Sequence, residues 1–91
     1  MLQTKQSLAD FLLHLKGKGF QLKEDARGFI EFGKHYTGAE DELVIIAIEL
    51  TLKAQKEFDG SFFVSLLETL TKEKAATRKQ AIHIAQNLHI I

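Results

Sequence analysis

The sequence predicts an all-α fold: a compact bundle of four or five helices forming a single domain over residues 1–91. Three observations carry that expectation. The chain has no proline, and its six glycines fall mostly between segments of apolar periodicity, as suits helices joined by short turns. Within those segments apolar residues recur at helical spacing, three and four positions apart. Side chains able to cap a helix stand at the start of several segments.

The first helix starts at Ser7, whose hydroxyl can cap it, with Asp10 near its positive end. Leu8, Phe11, Leu12 and Leu15 make one apolar stripe, and Gly17-Lys18-Gly19 stops the helix. The second runs from Lys23 to Tyr36, with Glu24 and Asp25 in its first turn and Ala26, Phe29, Ile30 and Gly33 as its stripe. Gly28 and Gly33 each cost about 0.5–1 kcal/mol against alanine in a helix interior. Read as lying on one face, they imply close helix packing or a frayed end near His35.

Thr37-Gly38-Ala39-Glu40 has the spacing of a capping box, which opens a third helix reaching about Phe58. From Leu43 to Leu52 that helix is apolar nearly all round, which places it in the middle of the bundle. Its β-branched run also suits a strand. The acidic first turn (Glu40, Asp41, Glu42), the Glu49–Lys53 pair at i, i+4 and the late Lys53 and Lys56 favour a helix. Asp59-Gly60-Ser61 breaks the chain, and a fourth helix carries Phe62, Phe63, Leu66, Leu67 and Leu70. A second capping box, Thr77-Arg78-Lys79-Gln80, opens a fifth, which buries Ala81, Ile82, Ala85 and Leu88.

Composition narrows the function classes. Hydrophobic residues at 45% and charged residues at 26% suit a globular chain rather than a disordered one. The absence of cysteine excludes disulfides, thiolate metal sites and thiol nucleophiles. Glu49 interrupts the longest apolar run well short of a membrane span, and residues 1–6 lack the pattern of a secretory signal, so a cytoplasmic protein is expected. Four histidines (His14, His35, His83, His89) form no i, i+4 histidine pair, and Glu31–His35 reads as a surface pair. Glu40, Asp41 and Glu42 point about 100° apart on a helix and cannot converge. No glycine-rich phosphate loop or nucleophile elbow is present. The expectation is a binding protein without cofactor or metal, and not an enzyme.

Charge is patterned although the formal net is zero. Residues 39–59 hold six acids against two bases, whereas residues 60–91 hold four bases, Lys72, Lys74, Arg78 and Lys79, against two acids. His83 lies one turn past Lys79. This cluster reads either as a small phosphate-contacting patch or as a solvated turn facing the acidic third helix. Phe62 and Phe63 are adjacent and cannot both enter one core. One of them either forms a stacking platform or partner contact, or covers a neighbouring helix. Ile90 and Ile91 leave an apolar end that marks a dimer seam or packs back on the bundle.

The stretch from Glu42 to Ala81 resembles the DnaD-type domain of primosome and phage replisome-organiser proteins. Ala47-Ile48 with Thr51-Leu52 stands at that domain's acidic-apolar helix. Phe62, Leu66, Leu67 and Leu70 keep its aromatic, aliphatic and closing positions. Lys72, Lys74 and Thr77-Arg78-Lys79-Gln80-Ala81 match its basic turn and the following helix start. Phe62 replaces a tyrosine, Leu70 replaces a tryptophan, and the usual glycine of the turn is missing. These changes keep packing but drop a polar edge and a stacking surface.

The resemblance implies a replication-associated module contacting DNA or a replication protein through Phe62, Lys72, Lys74, Arg78, Lys79 and His83. A small helical immunity or inhibitor protein, which binds and neutralises another protein, fits the same size and composition. The partners expected are therefore a protein first and DNA second, with no membrane and with a homodimer left open.

Overall fold

The computed structural model describes residues 7–19 and 22–89, and among them all regular structure is helical: α1 (Leu8–Gly17), α2 (Glu24–Thr37), α3 (Asp41–Gln55), α4 (Gly60–Lys72) and α5 (Arg78–Asn87). Ile90 and Ile91, read from the sequence as either a dimer seam or an end packed back on the bundle, lie outside the described residues.

Helix α3 is the hub, because it packs against each of the other four. Its apolar sequence explains why. Val44, Ile46, Ala47, Ile48 and Leu50 are all buried, so the helix has no wide solvent face. Thr51 is also fully buried, and its hydroxyl is satisfied by donating to the Ala47 carbonyl at 2.7 Å. The broadest contact runs between α2 and α4. Gly33 faces Phe63 and Leu67 while Phe29 crosses Gly60, so the two helices lie parallel. Among the described helices, α1 packs on α3 alone, through Leu8, Phe11 and Leu15.

Local chemistry sets most boundaries. Ser7 Oγ accepts from the Asp10 amide at 3.1 Å, as its cap position predicts. Asp59 caps α4 by accepting from the Phe62 amide at 3.0 Å. At α5, Thr77 Oγ1 accepts from the Gln80 amide, and Gln80 Oε1 reaches back to the Ala76 amide rather than to that of Thr77. The box thus forms with its return bond shifted by one residue.

The other expected box does not form. Thr37 closes α2 instead of opening α3: its hydroxyl donates to the Gly33 carbonyl at 2.7 Å and accepts from the Ala39 amide. Gly38 then turns left-handed at φ 71° and ends α2, leaving Glu40 at the N-cap of α3 without a side-chain cap bond. Three further expectations are corrected. Helix α3 stops at Gln55, before Phe58, because Lys56 takes a left-handed conformation at φ 67°. Leu88 lies beyond the last turn of α5 and is 52% exposed. Gly28 and Gly33 are five positions apart, about 140° around the helix, so only Gly33 is buried.

Asp41 ties three helices together. Its carboxylate accepts from the free Leu8 amide at the start of α1 at 3.1 Å and pairs with Lys34 of α2 at 2.6 Å. The Lys34 hydrogen bond, followed by the Leu8 amide, holds the Asp41 carboxyl below the usual carboxylate range. The same bond raises Lys34 above the ordinary lysine value.

Candidate nucleic-acid or protein interface

The turn between α4 and α5 is built by a left-handed lysine. After Lys72 ends α4, Lys74 takes φ 61° and donates to the Thr71 carbonyl, while the Ala75 amide reaches the Leu70 carbonyl at 3.0 Å. This is a Schellman closure, with Ala75 packed against the core. Lys74 therefore occupies the conformation that glycine favours, which accounts for the turn closing without one. Lys72 and Lys74 both point to solvent. Lys72 has a structural role as well, because a cation in the last turn complements the helix dipole.

Arg78 and Lys79 are placed differently. They occupy the first turn of α5, the positive end of its dipole, and no acid stands there with them. Arg78 reaches back to the Glu49 carboxylate of α3, so part of the basic cluster is matched by the acidic helix. This tertiary pair takes Glu49 away from the expected role of a partner for Lys53 within α3. Lys79 and His83 line an open groove along α5 with Arg78, Ile82 and Gln86. His83 is paired one turn on, its Nε2 lying 3.2 Å from Asn87 Nδ2.

A second groove adjoins the first, sharing Arg78 and Ile82, and runs between α1, α3 and α5. It adds Lys18, Lys53 and His14 to the basic surface, with Glu49 as the acid in its lining. Sequence reasoning missed these three residues because they are remote in the chain. Lys18 caps the end of α1 and Lys53 sits in the last turn of α3, positions that read as ordinary dipole partners. Lys72 and Lys74 line neither groove. The expected cluster therefore divides: Arg78, Lys79 and His83 join the groove surface, and the two turn lysines stand apart from it.

Phe62 is not a free stacking platform. Phe63 is fully buried, and Phe62, one helix position away, is half-buried against the same core. The exposed aromatic surface lies instead on α2, where Phe32 and Tyr36 are 55% and 61% exposed and Phe29 is 38% exposed. The Phe32 and Tyr36 rings stack with centroids 5.4 Å apart, and the Tyr36 hydroxyl donates to Glu68 at 3.3 Å. The apolar stripe of α2 had absorbed Phe29 and hidden this second face; its signal is the i, i+3, i+7 spacing of Phe29, Phe32 and Tyr36.

Among the described residues no three His, Asp or Glu side chains gather where they could hold a metal, and no helix is long and apolar enough to cross a membrane. Glu31 and His35 form an exposed pair at 3.7 Å. The molecule is thus a five-helix bundle with two distinct outward features, a basic grooved surface and an aromatic ridge. A family model matches residues 3–91, and the chain belongs to that family, a family of unknown function (DUF6123). No curated protein and no solved structure matches the chain.

Proposed function

We propose that this protein is a small non-enzymatic binding module that holds an anionic partner across the α1–α3–α5 surface, with DNA as that partner. The observation that carries the reading is the convergence of Lys18, Lys53, Arg78 and Lys79, with His14 and His83, on two adjoining grooves in which Glu49 is the acid. A chain of zero net charge has no global field to attract DNA, so recognition rests on this local patch. The likeness of residues 42–81 to DnaD-type domains supports a role in replication and a cytoplasmic setting. Half-burial of Phe62 favours contacts to phosphate over base stacking.

One observation favours a second reading. The exposed ridge of Phe29, Phe32 and Tyr36 suits a protein contact, as in a small inhibitor or immunity protein.

The test is a fluorescence-polarisation titration of labelled single- and double-stranded oligonucleotides with the wild type and a Lys18→Gln/Lys53→Gln/Lys79→Gln variant. Loss of most of the affinity in the variant, with its helical circular dichroism unchanged, is the expected result. Equal affinity of the two proteins, or no binding at low salt, would move the assignment to a protein partner.

A further inference from the structure

We propose that the aromatic face of α2 is a homodimer surface on which α2 of one copy crosses α2 of a second copy, with Phe32 of each seated over Gly28 of the other. Two independent observations lead there. The first is the exposed stacked pair Phe32–Tyr36, flanked by Phe29. The second is Gly28, an exposed glycine inside α2 that the monomer gives no reason to keep.

The other glycines have internal reasons or lie at a helix end. A Cβ on Gly33 would meet Phe63 at 3.0 Å, and one on Gly60 would fall 2.2 Å from the Phe29 ring. Gly19 and Gly38 have positive φ, and Gly17 closes α1. At Gly28 a Cβ would meet nothing within 4 Å, and the backbone is helical. Glycine weakens a helix interior, so its presence beside two exposed rings marks a notch for close approach.

The occupant follows from the row that contains the notch. Glu24, Gly28, Phe32 and Tyr36 lie four residues apart and form one ridge of α2. The row is self-complementary when reversed, because Gly28 opposes Phe32 and Glu24 opposes Tyr36 in an antiparallel crossing. Such ridges pack at about −50°, the commonest crossing between helices. Each Phe32 ring then enters the partner's notch, and each Tyr36 ring lies beside the stem of the partner's Glu24 while its hydroxyl stays on Glu68 of its own chain. Antiparallel copies also oppose the unlike ends of the two helix dipoles, while Lys34 stays with Asp41 and His35 beside Glu31 within each chain. Zero net charge adds no repulsion between copies. A two-fold contact of this kind is closed and isologous. One helix face buries a small area, so the dimer belongs at the weak end of specific interfaces.

The test is sedimentation equilibrium over a wide concentration range on the wild type, Gly28→Phe, Phe32→Ala and the Gly28→Phe/Phe32→Ala double variant. The wild type should pass from one chain's mass to that of two. Each single change should weaken association at least tenfold, by setting ring on ring or by removing the ring. The double variant exchanges notch and ring along the reversible row and should recover most of the lost association. A wild type that stays monomeric throughout overturns the proposal and gives the face to a different protein. So does a dimer that all three variants leave unchanged.

Discussion

Gly28 and Gly33 sit in the same helix, five residues apart, and the same substitution should move stability in opposite directions at the two. Alanine gains about 0.5–1 kcal/mol over glycine in a helix interior, chiefly by restricting the unfolded chain. At Gly28 nothing lies within 4 Å of the added methyl group, so Gly28→Ala should keep that whole gain. At Gly33 the methyl group would lie 3.0 Å from Phe63 Cε2 and 3.3 Å from Leu67 Cδ2. Neither neighbour has room to retreat: both are fully buried, and the Phe63 ring is backed by Phe58 at a centroid distance of 5.3 Å. Overpacking of this kind costs about 1–3 kcal/mol, which exceeds the propensity gain. Gly33→Ala should therefore destabilise by roughly 1–2 kcal/mol net. The assay is urea unfolding followed by circular dichroism, at concentrations dilute enough for the monomer. With a urea m-value of about 1–3 kcal/mol/M, each kcal/mol moves the urea midpoint by about 0.3–1 M, so the two variants should separate clearly. A Gly33→Ala protein as stable as Gly28→Ala would refute the parallel α2–α4 contact described above.

Three further outcomes are expected. Leu50→Ala, which opens a cavity under the central helix, should lose about 2–5 kcal/mol in the same assay, and a loss below about 1 would remove α3 from the centre. Lys74→Gly should stabilise the fold by about 1 kcal/mol by relieving a left-handed lysine, and it should leave DNA affinity nearly unchanged because Lys74 lines neither groove. Asp41 has a lowered pKa, so its pairing stabilises the fold above the ordinary carboxylate value of 3.8 and fades as pH falls through the lower folded-state value. Asp41→Asn keeps an acceptor for the Leu8 amide but loses the charge. It should be less stable than the wild type at neutral pH, with urea midpoints that converge as the pH drops below 3.8.

Much of the bundle was legible in the sequence because it rests on local rules. Ser7 and Thr77 cap the helices they precede, Gly17-Lys18-Gly19 ends α1, and the unbroken apolar run of α3 gives it the centre. Local rules failed where one residue had two possible partners. Thr37 could have capped the helix ahead, but its hydroxyl found the Gly33 carbonyl behind it, and the left-handed Gly38 fixed that choice. Glu49 could have paired along α3 with Lys53, yet the fold brings Arg78 to it from α5. The candidate site was half legible. Arg78, Lys79 and His83 are close in sequence and were found by their charge. Lys18, Lys53 and His14 join them only because the ends of α1 and α3 converge on α5. The ridge on α2 escaped because a helix can carry two apolar faces, and the buried one accounts for the periodicity first.

The most direct test of the binding assignment is the salt dependence of duplex affinity. If Lys18, Lys53 and Lys79 each neutralise one phosphate while Arg78 stays with Glu49, log K should fall with log salt at a slope of about −2.7. A slope near zero, or no measurable binding at about 50 mM salt, would contradict the assignment of DNA to this surface.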